Sequence, residues 1–260
     1  MITSTSNARV KQLLQLRKKA RERNAQDLFV VEGPKMYQET PPERIVQVCV
    51  SEKYYQKNQA LFEGGGQVTV LSDRVFESVS DTRTPQGVLC IVRQYHYELP
   101  DLLCGDVPLI MALENLQDPG NLGTIVRMAE GAGATGILLG PGCVDIYNPK
   151  TIRSTMGSIY RVPFYYTDDL KRDLCVLRDR GVRWFAAHLE GSVPYDEESY
   201  VGSSGFLIGN ESQGLTSEIT AAADARIRIP MCGKVESLNA AIAASVLMYE
   251  ANRQRRAVRF

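Results

Sequence analysis

Three segments of the chain place amides, a carboxylate and hydroxyls directly after apolar runs that predict strands. They are residues 114–133 (ENLQDPGNLGTIVRMAEGAG), 205–215 (GFLIGNESQGL) and 228–250 (RIPMCGKVESLNAAIAASVLMYE). Amide and carboxylate groups hydrogen-bond to polar ligands, and parallel sheets bind ligands beyond the carboxyl ends of their strands. The residue types and their positions therefore predict a ligand site at strand-to-helix junctions.

The first two segments each contain a pair of candidate residues. Asn121 and Arg127 lie six residues apart in a predicted helix, close to two turns, so both could face one ligand. Glu211 could accept hydrogen bonds from hydroxyls or amides, and Gly209 allows backbone to approach a ligand. The structural alternatives are a helix cap at Asn121, a surface side chain at Arg127, and a turn followed by an N-cap after residue 209.

The third segment leads through Gly233 into a helix that we predict to open at Ser237, a good N-cap residue. Asn239 follows two residues later, beside an alanine-rich helix that can pack closely. A cap alone does not explain Asn239, so it joins the candidate site.

Several segments resemble known motifs but lack a required residue or the surrounding secondary structure that the motif needs. GAGATG, residues 131–136, fits G-x-G-x-x-G but ends a helix instead of opening one, which predicts a C-cap and turn. NESQG lacks the first glycine of a nucleophile elbow because Asn210 stands there, and Leu215 replaces the lysine of a phosphate-binding loop. The six cysteines form no C-x-x-C pair and there are two histidines, so no metal site is predicted.

The net charge says nothing about binding partners, because thirty Lys and Arg residues balance thirty Asp and Glu residues. Only local clusters of charge are informative. Residues 9–23 carry seven basic side chains against Glu22 alone. This excess predicts either a phosphate-binding surface or a solvated helix face. The basic residues are Arg9, Lys11, Arg17, Lys18, Lys19, Arg21 and Arg23.

The element pattern predicts two domains. Four short β-like runs before residue 94 indicate a small α/β domain at 1–94, and weak periodicity indicates a linker at 95–107. From 108 to 260, strands and helices alternate and the strands are almost continuously apolar, which predicts a parallel sheet covered by helices on both faces. The sequence shows no membrane span, signal peptide or disulfide framework, so we expect a cytoplasmic protein.

Taken together, the three segments resemble the three ordered motifs of the SpoU, or TrmH-type, RNA ribose methyltransferases of the SPOUT superfamily. The resemblance covers about residues 109–250, and DIYNPKTIRSTMGSIYRVP is similar to the family's connecting segment. The N-terminal part resembles, more loosely, the small ribosomal-protein-type α/β domain that binds substrate, although the stretch before residue 45 is shorter than usual.

This resemblance implies a C-terminal trefoil knot, a homodimer and S-adenosylmethionine as methyl donor. It implies an active site of Asn121, Arg127, Glu211, Ser237 and Asn239. It implies donor binding by Leu207, Ile208, Gly209, Asn210, Ile229, Met231 and Leu238. For the RNA, we expect contacts from Arg9, Lys11, Arg17, Lys18, Lys19 and Arg153.

The resulting hypothesis is methylation of a ribose 2′-hydroxyl, with large-subunit ribosomal RNA as first substrate and transfer RNA as the alternative. We expect Arg127 to grip a phosphate and stabilise the developing alkoxide, since a neutral guanidine is costly. Two rival hypotheses are a non-catalytic RNA-binding member of the fold and a nicotinamide-dependent oxidoreductase. The intact set of polar residues argues against the first, and the inverted glycine motif against the second.

Overall fold

The computed structural model describes residues 1–62, 68–190 and 192–258. The chain divides into two compact units. The N-terminal unit comprises Met1–Tyr95 and Asp145–Tyr160, and the C-terminal unit comprises His96–Val144 and Arg161–Phe260. The segment at 145–160 therefore folds with the N-terminal unit, although it lies within the sequence predicted to form the C-terminal domain.

Strands and helices are numbered in chain order. The strands are β1 (Leu28–Glu32), β2 (Ile45–Ser51), β3 (Val68–Leu71), β4 (Val88–Arg93), β5 (Leu109–Leu113), β6 (Gly136–Leu139), β7 (Phe164–Tyr166), β8 (Arg183–Ala187), β9 (Val193–Pro194), β10 (Ser204–Ile208) and β11 (Ala225–Arg228). The α-helices are α1 (Ala8–Lys18), α2 (Ala20–Gln26), α3 (Pro34–Glu39), α4 (Glu52–Lys57), α5 (Asp73–Val79), α6 (Pro119–Ala132), α7 (Pro149–Thr155), α8 (Leu170–Asp179), α9 (Ser217–Ala221) and α10 (Ala240–Ala257). Among the described residues, no helix is long and apolar enough to span a membrane.

The N-terminal unit is built on a four-stranded mixed sheet in the order β1-β4-β2-β3. Its four strands are the four that the apolar runs predict. The predicted N-terminal helix forms as two helices, because the backbone of Lys19 is extended, and Asn7 caps the first by accepting from the Arg9 amide at 3.0 Å. Val10, Leu13 and Leu16 are fully buried, so the apolar stripe of α1 packs into the core of this unit.

One ion pair ties the segment at 145–160 to the N-terminal helices. Arg23 is 3% exposed, and its Nε lies 3.0 Å from Asp145 Oδ2. Its Nη1 donates to the carbonyl of Leu16 at 2.7 Å. Arg23, one of the seven basic residues in the N-terminal run, therefore holds the fold together and is not available to an external phosphate.

The C-terminal unit contains a seven-stranded sheet in the order β7-β6-β5-β10-β8-β11-β9. All of its paired strands are parallel, which confirms the predicted α/β fold with a parallel sheet. The two-residue edge strand β9 was not predicted, because its sequence is too short to show a period. Of the predicted linker at 95–107, residues 96–107 fold with this unit, and Leu102 is fully buried.

The centre of this sheet is packed too closely to admit a side chain at one position. Gly205 of β10 faces Trp184 of β8, which is fully buried, and a Cβ on Gly205 would lie 2.1 Å from the Trp184 ring. The strand can pair at this point only because residue 205 is glycine.

Gly205→Ala should therefore destabilise the protein by about 1–3 kcal/mol, the usual cost of overpacking a core. The free energy of unfolding from denaturant titration measures this effect. Gly202→Ala is the matched control, since a Cβ there meets nothing within 4 Å. Equal stabilities of the two variants would contradict the packing argument.

Candidate active site

The three polar segments start at the same edge of the C-terminal sheet. β5 and β10 are parallel neighbours in which Leu113 pairs with Ile208, and both strands end there. β11 runs parallel to them on the far side of β8 and ends at Arg228. Parallel topology therefore places the beginnings of the segments at 114, 209 and 229 along one edge, as the sequence predicts.

The loop after β10 closes on itself. Asn210 and Gly214 exchange backbone hydrogen bonds of 3.1 and 2.9 Å, and Gly214 has a φ of +70°. A Cβ on Gly209 would lie 2.1 Å from the carbonyl carbon of Gly214. Glycine was expected at 209 so that a ligand could approach, but the space beside its Cα is filled by the chain's own backbone.

The Asn210 side chain holds this loop against the end of β5. Its Oδ1 accepts from the amides of Ser212 and Gln213 at 2.9 and 3.1 Å, and its Nδ2 donates to the carbonyl of Asn115 at 2.9 Å. Asn115 itself has a φ of +53°, an uncommon conformation for a non-glycine residue. Asn210 is thus fully occupied within the protein and fixes the shape of the loop.

Glu211 collects donors from the segment that follows β5. Its carboxylate accepts from the Asp118 amide at 2.9 Å, from Asn121 Nδ2 at 3.0 Å and from the Gln117 amide at 3.2 Å. Partial desolvation by itself raises the pKa of the Glu211 carboxyl, but these hydrogen bonds outweigh it and hold that pKa below its usual value of 4.5. A carboxylate so stabilised is a poor proton acceptor and a good anchor.

Asn239 extends the same chain of hydrogen bonds to α10. Its Oδ1 accepts from the amides of Ala241 and Ile242, which leaves Nδ2 to donate to Asn121 Oδ1 at 3.0 Å. Each amide in the series Asn239–Asn121–Glu211 therefore has one possible orientation. The predicted cap at Ser237 is wrong, because α10 begins at Ala240 with Asn239 as its N-cap.

Two acidic residues that the sequence analysis missed support this arrangement. Asp118 caps α6 by accepting from the Asn121 amide at 2.8 Å, so Asn121 is not the cap. Glu114 accepts from the backbone amide and hydroxyl of Thr216 at 2.8 and 2.7 Å, which fixes the start of α9. The sequence Asp118-Pro119 carries the usual signal of a cap followed by proline and could have revealed the first of these roles.

Arg127 and Ser237 are not joined to this series. Six residues of α-helix turn through about 600°, so Asn121 and Arg127 lie about 120° apart around α6 and do not share a face. Asn121 is half-buried and Arg127 is exposed. Within the described residues, the Arg127 guanidinium makes no hydrogen bond or ion pair, and the Ser237 hydroxyl is likewise unbonded.

The segment between β11 and α10 leaves its backbone groups free. Across the described parts of the chain, no hydrogen bond involves the backbone of residues 229–238. Ile229, Met231 and Leu238 in this segment are partly exposed. Leu207 and Ile208 are instead buried in β10, and the carbonyl of Ile208 accepts from the Glu114 amide at 2.9 Å. The edge therefore combines free backbone donors and acceptors with apolar side chains.

The predicted RNA contacts all lie in the N-terminal unit and differ in availability. Lys11, Lys18 and Lys19 are exposed. Arg9 donates to the Thr69 hydroxyl at 2.8 Å, and Arg17 Nη2 lies 2.8 Å from Asp81 Oδ1. Arg153 is half-exposed, with Nη1 3.1 Å from the other oxygen of the same carboxylate.

No cluster of His, Cys, Asp or Glu among the described residues could hold a metal ion. At residues 131–136, Gly133 has a φ of +76° and caps the C-terminus of α6, which confirms the predicted turn. The glycine motif at this position therefore ends a helix and presents no helix N-terminus to a phosphate.

Comparison with known proteins gives matches over the whole chain. The model of the SpoU rRNA Methylase family matches residues 108–249, and that of the MRM3-like substrate binding domain matches residues 7–90. The chain is 30% identical over 256 residues to the 23S rRNA (guanosine(2553)-2'-O)-methyltransferase RlmP of Bacillus subtilis (strain 168), covering 95% of this chain and 97% of that protein.

Solved structures give the same result. The AdoMet-bound rRNA methyltransferase from Sinorhizobium meliloti superposes with a TM-score of 0.86 and 32% identity, covering 97% of each chain. A structure described as an RNA 2'-O ribose methyltransferase has a TM-score of 0.84 and 28% identity, covering 98% of this chain and 99% of that one. The resemblance predicted from the three motifs is confirmed, and the chain belongs to the SpoU rRNA methylase family.

Proposed function

We propose that this protein transfers a methyl group from S-adenosylmethionine to a ribose 2′-hydroxyl of RNA, with large-subunit ribosomal RNA as the first substrate. The observation that carries the proposal is the hydrogen-bonded series Glu211–Asn121–Asn239. It joins one residue from each of the three polar segments at the sheet edge where a parallel α/β fold binds its ligand.

The residues present fit the methyl donor. S-adenosylmethionine supplies an electrophilic methyl group on a sulfonium when it is bound, and its adenine and amino-acid ends need hydrogen bonds beside an apolar surface. The free backbone of residues 229–231, with the side chains of Ile229, Met231 and Leu238, offers both. We assign the opposite wall to Leu207, Ile208, Gly209 and Asn210, at the end of β10 and in the loop that follows it.

Three tasks fall to the chain's own residues. Glu211 holds the segment at 117–121 in place through its three hydrogen bonds and, with its lowered pKa, is not the base. Arg127, exposed and without a partner among the described residues, contacts the phosphate beside the target ribose and stabilises the alkoxide, while the hydroxyl proton passes to solvent water. Asn239 orients Asn121 through its Nδ2, and Ser237 lies two residues before it in the same segment.

The N-terminal unit binds RNA independently of its sequence through Arg9, Lys11, Arg17, Lys18, Lys19 and Arg153.

We also propose a cytoplasmic homodimer with a C-terminal trefoil knot. Ile242 and Tyr249 support the dimer, because they are 50% and 45% exposed and lie seven residues apart on one face of α10. All six cysteines are free thiols, in keeping with a reducing compartment.

Transfer of labelled methyl from S-adenosylmethionine to unmodified ribosomal and transfer RNA pools tests the proposal. Alkali cleaves RNA through a free 2′-hydroxyl, so label in alkali-resistant dinucleotides means ribose methylation and identifies the pool. Label in ordinary mononucleotides would mean base methylation and would refute the proposal. Donor binding without transfer to any RNA would favour a non-catalytic RNA-binding protein.

Glu211→Ala should lower both donor affinity and methyl transfer, each by on the order of tenfold, because it leaves several amide donors without their acceptor. Calorimetric titration with S-adenosylmethionine and initial rates measure the two effects. Glu218→Ala is the control, since that carboxylate is exposed and pairs only with Lys171 at the surface. Unchanged binding and turnover would show that Glu211 has no such role.

The lowered pKa of Glu211 also predicts a dependence of stability on pH. The stabilisation by the carboxylate is complete above the unfolded value of 4.5 and is lost as the pH falls through the lower folded value. Glu211→Gln should therefore lose less stability than the wild type between neutral pH and pH 3. Parallel acid unfolding curves would contradict the prediction.

Arg127→Lys should reduce kcat/KM by roughly 10- to 100-fold, because a lysine cannot make the paired contacts of a guanidinium. Arg253→Lys is the matched control, an exposed arginine of α10 that pairs with Glu250. Initial rates of methyl transfer to the identified RNA give kcat/KM for both variants. Near-wild-type activity would mean that the forked guanidinium is not needed.

Lys18→Glu/Lys19→Glu should weaken RNA binding and flatten its salt dependence by roughly one unit of slope or less for each lost phosphate contact. Binding isotherms over a series of salt concentrations measure this slope. Lys171→Glu/Arg180→Glu makes the same change in net charge on α8 and should leave the slope unaltered. An equal loss in both variants would indicate a general effect of charge.

A further inference from the structure

The N-terminal unit contains a cavity of about 110 Å³ whose apolar interior has no predicted role, although Arg17 and Arg153 in its lining are predicted RNA contacts. Most of its walls are apolar and come from β1, α3, β4 and α7. The apolar lining residues are Val30, Met36, Leu89, Pro149, Ile152 and Met156. An enclosed apolar cavity of about 150 Å³ holds a benzene ring, so this open space admits one flat ring with its edge left in solvent.

The rim of the cavity carries hydrogen-bonding groups on a close-packed turn. Gln86 is exposed and lines the cavity, and a Cβ on Gly33 would lie 2.4 Å from its Oε1. A Cβ on Gly87 would lie 2.7 Å from the nearest ring atoms of Tyr54. The turn therefore packs closely against its neighbours, and the Gln86 amide lies at the cavity lining.

The acidic groups of the rim are already occupied within the protein. Glu32 accepts from the Thr82 hydroxyl at 2.8 Å and the Asp81 amide at 3.0 Å. Asp81 lies between Arg17 and Arg153, with one oxygen facing each guanidinium. The two acids thus organise the rim instead of repelling an incoming anion.

The basic groups outnumber these acids by one and are partly free. The cavity is lined by Arg17, Lys35 and Arg153 against Glu32 and Asp81. The side chains of Arg153 and Lys35 are 50% and 60% exposed. The Nε of Arg17 is buried and lacks a hydrogen-bond partner among the described residues. An anion at the mouth would meet the exposed Arg153 and Lys35 side chains, whereas the buried Arg17 Nε is not accessible to it.

We propose that this cavity is a nucleotide-binding site that takes one unpaired base of the RNA, with the adjoining phosphate on Arg153. The inference rests on the proposed function, because the ligand class follows from RNA being the substrate. Proteins recognise unpaired RNA bases by inserting the flat ring among apolar or planar side chains and hydrogen-bonding its edge. The thioethers of Met36 and Met156 pack well against such a ring, and the Gln86 amide is placed for the edge.

A second cavity adjoins the first and gives the RNA strand room to continue. It measures about 260 Å³, shares Gln86 with the first, and is lined by Tyr54, Lys53 and Lys57 among others. Its lining also includes Asp73 and Glu77, and Lys53 Nζ lies 3.6 Å from Asp73 Oδ2, so the next phosphate falls to Lys57. The pair of cavities distinguishes this surface from the exposed lysines of α1, which offer charge without a recess.

The test uses the full chain and the RNA that the wild type methylates, carrying 4-thiouridine at single positions. Photocrosslinking should join one thiouridine to the peptide around Met156. Met156→Trp, which fills the cavity from a 40% exposed position, should weaken binding of this RNA about tenfold, the usual loss for one stacked base. Arg153→Gln, at the exposed rim, should also weaken binding of this RNA, and it does so without changing the shape of the cavity.

An abasic ribose at the crosslinked position should cost the wild type about tenfold in affinity and cost Met156→Trp almost nothing, because both changes remove the same contact. Val176→Trp on α8, also exposed at 41%, controls for a surface tryptophan, and Arg172→Gln controls for the arginine. Melting temperature and donor affinity identify any variant that fails to fold.

The outcomes separate this inference from the proposed function. If the wild type methylates RNA but Met156→Trp and Arg153→Gln bind it as tightly as the wild type, the cavity site is refuted and the proposed function stands. If the wild type neither binds nor methylates any RNA, the cavity site and the proposed function are both refuted. A crosslink at the cavity, together with non-additive losses of RNA affinity for Met156→Trp and the abasic RNA, supports both the cavity site and the proposed function.

Discussion

The carboxylate of Glu211 is the interaction on which the proposed active site depends. It comes from the loop after β10, yet it accepts three hydrogen bonds from the segment after β5. Asn121, one of its donors, in turn accepts from Asn239 at the start of α10. One ionised group therefore sets the relative positions of three segments that are distant in sequence. Because each amide in the series has one orientation, the groups facing a ligand are fixed before it binds.

The rest of the edge divides into a fixed part and an open part. The loop after β10 is held by its own backbone, by the Asn210 side chain and by the absence of a Cβ at Gly209. Residues 229–238 have no such bonds among the described residues, and none of them is buried, so their backbone groups are open to solvent. A wall of fixed shape beside a segment with accessible backbone groups suits a ligand that bonds to that segment.

The N-terminal unit uses its basic residues for two different purposes. Arg23 is buried against Asp145 and anchors the segment at 145–160, while Lys18 and Lys19 extend into solvent. Arg17 and Arg153 lie between these extremes, since they share Asp81 at the rim of a cavity. A run of like charges in the sequence therefore contains a buried structural arginine beside exposed lysines, and burial separates the two kinds.

The sequence by itself determined the parallel α/β fold, the four strands of the N-terminal unit and the three polar segments, because apolar periodicity and strand-end polar residues are local patterns. It did not determine which polar residues meet. Asn239 and not Ser237 caps α10, Asp118 and not Asn121 caps α6, and Arg127 lies on another face of its helix from Asn121. The two caps rest on contacts within three residues. The contacts that join Asn121 with Glu211 and with Asn239 instead span 90 and 118 positions. The pairing of parallel strands sets those contacts, and the pairing exists only in the tertiary structure.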